Sequence, residues 1–188
     1  MLKYIEEFGK YAAITGFRKV KIEDIEEFLK KIRKKRGSNV ETQFFDAKFV
    51  ASWEHLYFAA LNALTAFKNK ENLSKSIAME ILLYASAQRQ IRKAIEVLGI
   101  KPETVEIALL IIGQNPETVK SALPMISASI NVQHDDTVLE LSEKKRRIIQ
   151  KAFRISDLEL KTIMKKDRVE KALTNLVIEQ MALLSTQR

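Results

Sequence analysis

The sequence contains no cysteine, and this absence excludes several kinds of chemistry at once. Disulfides, thiolate nucleophiles and cysteine-based zinc sites cannot form, and a reducing, cytoplasmic setting suits such a chain. Glycine is also scarce, because the five glycines stand far apart at positions 9, 16, 37, 99 and 113. A glycine-rich phosphate loop or dinucleotide-binding turn needs several glycines within a few residues, so both are excluded.

Long apolar runs and the usual catalytic groupings are missing as well. The longest apolar run, residues 107–112, has the length of a buried strand and falls far short of the roughly 20 residues that span a bilayer. The first residues are charged and lack the apolar core of a signal peptide, which again indicates a cytoplasmic protein.

The two histidines offer little support for catalysis or metal binding. His55 and His134 have no histidine partner at metal-ligand spacing, and Ser86, near Arg89, lacks a base. His55 is interpreted as a histidine at the edge of the core, and residues 134–136 as a polar turn. The sequence therefore predicts a protein that is not an enzyme and has no catalytic residues, metal site or cofactor.

Basic residues outnumber acidic ones by 32 to 24, which gives a net charge of +8 and a pI near 9.6. This excess attracts polyanions such as RNA. Cysteine-free, charge-rich chains are also typical of thermophilic proteins, so charge alone leaves nucleic-acid binding open. The two basic segments, 30–36 and 144–147, are either solvated helix ends or parts of an electrostatic footprint for RNA.

Hydrophobic periodicity predicts a single helix-rich α+β domain over residues 1–188, built around a small mixed or antiparallel sheet. Gly16 is expected to close the first strand, Gly99 to follow a helix end, and Pro124 to end or kink its helix. The predicted strands cover residues 10–15, 41–46, 105–112 and 137–141. The predicted helices cover residues 22–36, 52–68, 76–84, 89–98, 116–127, 142–153, 156–164 and 167–184.

Several short motifs, in order along the chain, carry a family resemblance. They are Gln43-Phe44-Phe45-Asp46-Ala47, Val50-Ala51, Glu54-His55-Leu56, Asn72-Leu73-Ser74-Lys75-Ser76, Met79-Glu80-Ile81-Leu82-Leu83, Ala85-Ser86-Ala87-Gln88-Arg89-Gln90-Ile91 and Asp135-Asp136-Thr137-Val138-Leu139. Together they resemble the small subunit of the KEOPS complex, the TPRKB family in its archaeal form. The resemblance extends over about residues 10–184.

This resemblance implies a non-catalytic subunit that binds the PRPK-type kinase/ATPase of KEOPS and, in archaea, the single-stranded 3′ CCA end of tRNA. The complex transfers a threonylcarbamoyl group to the adenosine beside the anticodon. Residue types support the tRNA assignment, because Arg pairs with phosphate or stacks on bases and Gln reads base edges. The expected tRNA-binding residues are Lys75, Gln88, Arg89, Gln90 and Arg92.

Two features of this segment remain open at the sequence level. Residues 88–90 are also explained as an ordinary polar helix start whose glutamines bind loop carbonyls. Family members often carry Gly where this chain has Ala87, and Ala costs about 1 kcal/mol if the position needs a positive φ.

The last helix has an apolar arc wider than one stripe, because Ile178 and Met181 lie off the stripe that runs from Val169 to Leu184. Either the helix is buried within the domain, or one side packs on the core and the other receives a partner. The resemblance favours the second alternative, with the kinase bound by Val177, Ile178, Met181 and Leu184. The competing function is a stand-alone basic RNA-binding domain with no kinase partner.

Overall fold

A four-stranded antiparallel sheet forms the centre of the molecule, with strand order β1-β2-β4-β3. The structure is a computed structural model that describes residues 1–35, 37, 39–164 and 168–184. The strands are β1 (Leu2–Ile5), β2 (Lys10–Arg18), β3 (Val40–Asp46) and β4 (Glu106–Gly113).

Eight helices in the described part of the chain cover the sheet. They are α1 (Ile25–Lys35), α2 (Trp53–Lys68), α3 (Ile77–Ala85), α4 (Ile91–Leu98), α5 (Pro116–Ile130), α6 (Glu143–Ala152), α7 (Asp157–Ile163) and α8 (Val169–Leu183). The expected fold class, a helix-rich α+β domain around a small sheet, is therefore confirmed. No helix in these residues is both long and apolar enough to cross a membrane.

The continuous apolar run of β4 follows from burial on both faces of the sheet. Ala108, Leu110 and Ile112 face one core cluster, which the helices α2, α3, α6 and α8 complete. The alternate residues Ile107 and Leu109 face a second cluster, completed by α1 and α5. A strand with two buried faces needs apolar side chains at every position, because successive side chains point to opposite sides.

Gly16 has a different role from the strand end expected of it, because β2 continues through it to Arg18. A Cβ at position 16 would collide with the Val138 side chain and lie 2.8 Å from the carbonyl oxygen of Asp135. Glycine at this position therefore lets residues 135–138 cross directly over the strand. The carbonyl of Gly16 accepts a 2.7 Å hydrogen bond from the amide of Asp135.

The strand expected at 137–141 is wrong, since a 3-10 turn occupies Asp136–Leu139. The Asp135 carboxylate accepts a 3.0 Å hydrogen bond from the amide of Thr137, and this local bond competes with strand pairing. The Asp136 carboxylate fastens the turn to β2, accepting a 2.6 Å hydrogen bond from the Thr15 hydroxyl.

Other differences from the expected structure are one additional strand and several shifted helix ends. Strand β1 was not expected, and helix α5 runs six residues past Pro124 before Asn131, with φ +60°, ends it. Gly99 is extended, and glycine is needed there because a Cβ would lie 2.6 Å from the carbonyl oxygen of Ile95. The ends predicted at Arg36 and Asp167 fall on residues outside the described ranges.

Candidate interaction sites

The turn that joins α3 to α4 carries the Gln88-Arg89-Gln90 segment, and its backbone forms a Schellman motif. The amide of Ala87 donates to the carbonyl of Tyr84 at 2.8 Å, and the amide of Gln88 donates to the carbonyl of Leu83 at 3.0 Å. This geometry requires a left-handed residue after the helix. Ala87 occupies that position with φ +50°, so the alanine sits in a conformation that glycine adopts more readily.

The buried ring of His55 holds this turn in place. Its Nε2–H donates a 2.7 Å hydrogen bond to the carbonyl of Ala85, and its Nδ1 accepts a 3.1 Å bond from the amide of Ala51. Both bonds require a neutral ring of one tautomer. His55 is fully buried, so it lies within the core rather than at its edge.

Burial lowers the pKa of His55 from 6.5 to about 4. The hydrogen bond to Ala85 opposes this shift, and the positive charge of Lys145 adds to it. The ring is therefore neutral in the folded protein at neutral pH, as its two hydrogen bonds require.

The motif residues lie on the surface at the start of α4. Arg89, Gln90 and Arg92 are exposed and Gln88 is half-buried. Gln90 is the N-cap of α4, but its side chain makes no capping hydrogen bond, whereas serine or asparagine side chains cap α2, α3, α5, α6 and α7. Helix α4 also has no acidic residue in its first turn. The N-cap side chain therefore leaves the first amide groups of α4 available to an anion.

Lys75 does not join this cluster. It precedes the N-terminus of α3, whereas residues 88–90 follow its C-terminus, and the nine residues of α3 span about 14 Å. The Glu80 carboxylate fixes the loop beside Lys75, accepting hydrogen bonds from the amides of Leu73 at 3.1 Å and Ser74 at 2.7 Å. One phosphate cannot contact both ends of the helix, so only an extended ligand of several units could do so.

The division of α8 into a core side and a partner side needs a correction. Val177, Met181 and Leu184 belong to the core cluster, with exposed fractions of 0%, 0% and 5%. Of the four residues expected to bind the kinase, only Ile178 reaches the surface, and it is half-buried. The wide apolar arc therefore reflects burial against four helices, because α8 packs on α2 and also contacts α3, α6 and α7.

A groove of about 840 Å³ runs along the remaining outer side of α8, and we call it the α2–α8 groove. Its walls come from the start of α2, the segment after the 3-10 turn at 136–139, and α8. Apolar side chains dominate it, and Phe58 is 39% exposed although it is aromatic. The apolar residues along the groove are Met1, Ile14, Ala51, Trp53, Phe58, Leu139, Leu141 and Ile178.

The two basic segments fall in different environments. Lys30, Lys31 and Lys34 are exposed on α1, as a solvated helix end or an RNA footprint requires. In the second segment Lys144 is exposed, but Lys145 is buried with 8% of its surface accessible. The burial of Lys145 was not expected from its place in the basic segment 144–147, although its position four residues before the buried Ile149 places both on one helix face.

Two comparisons with known proteins identify the family of this chain. Residues 17–185 match the family model described as kinase binding protein CGI-121. The chain is 35% identical over 133 residues to the regulatory protein Cgi121 of Methanocaldococcus jannaschii, an alignment that covers 66% of this chain and 83% of that protein. The chain therefore belongs to the CGI-121 family, which confirms the resemblance seen in the sequence motifs.

The strained alanine gives a testable consequence for stability. We expect Ala87→Gly to stabilise the fold by about 1 kcal/mol, because glycine adopts a positive φ without steric cost. Urea unfolding measures the change. Ala78→Gly serves as the matched control, since Ala78 lies in the first turn of α3, where the same substitution should destabilise by up to about 1 kcal/mol. A loss of stability in both variants would contradict the assignment.

Acid should destabilise the fold through His55. Because its folded pKa of about 4 lies below the ordinary 6.5, the unfolded chain binds the extra proton between these values. The stabilisation is complete above pH 6.5 and is lost as the pH falls towards 4, by roughly 3 kcal/mol in full. Urea titrations at pH 7 and 4.5 test this against His55→Gln, which should show a shallower loss. Equal losses in both proteins would exclude His55 as the cause.

Proposed function

We propose that this protein is the non-catalytic regulatory subunit of a KEOPS complex. It binds the PRPK-type kinase/ATPase subunit through the α2–α8 groove and holds the 3′ CCA end of tRNA near the start of α4. The complex then transfers the threonylcarbamoyl group to the adenosine beside the anticodon. The observation that carries this proposal is an apolar groove on a chain of the CGI-121 kinase-binding family.

The groove has the character of a protein-docking surface. Trp53 and Tyr57 pack together at 6.0 Å, and Phe58 lies edge-on to Tyr57 at 5.8 Å, so aromatic side chains line the exposed start of α2. Aromatic side chains dominate the binding energy of protein interfaces. Acidic and basic side chains lie at the rim, among them Glu54, Glu170 and Lys171. Such a rim favours one orientation of the partner.

The tRNA assignment is supported by charge and by the uncapped start of α4. Arg89 and Arg92 are exposed there, and the free amide groups of a helix N-terminus attract phosphate. Arg92 also pairs with Glu96 at 3.1 Å, an exposed contact that RNA could replace at little cost. Lys75, at the far end of α3, would contact a more distant part of an extended single strand.

The net charge of +8 also favours the second candidate, a stand-alone RNA-binding domain without a kinase partner. Affinity purification at low and high salt separates the two candidates. An apolar kinase contact should survive 1 M salt, whereas RNA held by charge alone should be released. Recovery of RNA only, and only at low salt, would favour the stand-alone domain.

Substitutions in α8 test the kinase-binding side. We expect Ile178→Glu to leave the fold intact and weaken binding of the purified PRPK-type kinase roughly tenfold or more, because an unpaired charge must be desolvated in the groove. Met181→Glu should instead unfold the protein, since Met181 is fully buried. Calorimetry for binding and circular dichroism for folding measure both effects.

Met125→Glu is the matched control for this experiment. Met125 is 46% exposed on α5, and α5 covers the opposite face of the sheet. This variant should bind the kinase like the original protein. Unchanged kinase binding by folded Ile178→Glu would contradict the placement of the interface in the α2–α8 groove.

A charge reversal tests the tRNA-binding side. Arg89→Glu should weaken binding of intact tRNA some tens-fold, because contacts of this kind are worth about 1–3 kcal/mol each. The same substitution should weaken binding less for tRNA that lacks its 3′ CCA. Fluorescence anisotropy at fixed salt measures both. The matched controls are Lys34→Glu and Lys144→Glu, two exposed lysines on other helices. Equal losses in all three variants, with no effect of trimming, would indicate a general electrostatic footprint.

A further inference from the structure

Lys145 is a buried cation with an unusual set of neighbours. Its Nζ donates to the carbonyl oxygen of Val138 at 2.7 Å and to that of Glu140 at 3.2 Å. Within the described part of the chain, no carboxylate lies within 4 Å of this nitrogen. A buried ammonium without a close counter-ion is costly, because carbonyl dipoles replace only part of its hydration.

The two carbonyl acceptors account for two of the tetrahedral positions of the Lys145 nitrogen. The third position carries an N–H in the ammonium and the lone pair in the neutral amine, and the lone pair is the group that makes an amine a nucleophile. Burial lowers the pKa of Lys145 from 10.5 to about 8, against the raising effect of Glu106, Asp46 and Glu140.

Lys145 also lines a cavity of about 500 Å³ at the start of α6, in the range of small-molecule sites. The cavity differs from the α2–α8 groove because charged side chains dominate its walls. Four cations and four acids line it, and two of each sign form ion pairs, since Arg18 contacts Glu106 and Lys48 contacts Asp46, each at 2.9 Å. Lys144 lies outside these two pairs and would attract the phosphate group of an incoming molecule.

We propose that Lys145 is a site of Nε-acylation by acyl phosphates or acyl adenylates that enter this cavity. The amine lone pair attacks the acyl carbon and forms a C–N bond, while the C–O bond to phosphate breaks. The phosphate group leaves with the electron pair, and the nitrogen loses one proton to solvent. The product is a neutral amide, so the reaction removes a buried charge and involves no oxidation or reduction.

Acylation would change the contacts of the neighbouring turn. An amide has a single N–H, so the carbonyl of Val138 or of Glu140 would lose its donor. Glu140 and the adjacent Leu139 line the α2–α8 groove, and the modified chain should therefore differ at that wall. An effect on kinase binding rests on the proposed function, whereas the modification itself does not.

The reactivity of Lys145 depends on groups from every element around it. The two carbonyls belong to the 136–140 segment, and the other charged or titratable neighbours come from β2, β3, β4, the 47–49 and 103–105 segments, α2 and α6. They are Arg18, Asp46, Lys48, His55, Glu103, Glu106, Glu140 and Lys144. Because the pKa of Lys145 is lowered to about 8, protonation of the amine should slow acylation as the pH falls below that value.

Acetyl phosphate and mass spectrometry test the proposal on the full chain. The folded protein reacts at pH 7 for a series of times, and peptide fragmentation then compares acetylation at Lys145 with that at the adjacent, exposed Lys144. At this pH an amine of pKa about 8 is neutral far more often than an ordinary lysine amine. Its weaker intrinsic nucleophilicity offsets part of this gain. We therefore expect acetylation at Lys145 to be on the order of tenfold faster than at Lys144. In guanidinium chloride the two lysines should react equally.

The pH profile gives a second readout. The acylation rate at Lys145 should level off near pH 8. The rate at an ordinary exposed lysine side chain should keep rising to about pH 10. Faster reaction at Lys145 only in the folded protein supports the proposal. Reaction at Lys145 that is equal to or slower than that at Lys144 in the folded protein overturns it and leaves a shielded structural lysine.

Discussion

Both candidate surfaces depend on the buried ring of His55. One ring nitrogen binds the amide of Ala51, which lines the α2–α8 groove, and the other binds the carbonyl of Ala85, where the turn before α4 begins. Phe153 packs edge-on against the ring at 5.7 Å, and its carbonyl accepts a 2.9 Å bond from Gln180 of α8. Removal of the ring would leave two buried backbone groups unpaired, one beside each surface, and protonation of the ring would leave the amide of Ala51 without its acceptor.

The elements with the strongest periodicity could be predicted from the sequence. Side-chain type and spacing predicted the apolar run of β4 and the starts of the capped helices α2, α3, α5, α6 and α7. The 3-10 turn at 136–139 could not be predicted, because its apolar residues suit a strand and the Asp135 hydrogen bond decides against one. Gly16 was misassigned because its partner, the crossing segment at 135–138, is more than 100 residues away.

Some site residues could likewise be predicted from local sequence, and others depend on tertiary packing. Exposure at Arg89, Gln90 and Arg92, and the positive φ of Ala87, agree with local motif reasoning, because a helix end and a helix start are local structures. The outer face of α8 could not be assigned from one helix, since burial of Val177 and Met181 depends on the helices packed around it. Burial of Lys145 likewise depends on the carbonyls of residues 138 and 140, which belong to the preceding turn.

The central claim is that the α2–α8 groove is the docking surface for a kinase of the PRPK type. Hydrogen–deuterium exchange of this chain, measured with and without the purified kinase, tests it most directly. The account predicts slower exchange in residues 51–58 and 170–178, which line the groove, and unchanged exchange in α1 and α5 on the opposite face of the sheet. Protection confined to α1 and α5, with none along α8, would contradict it.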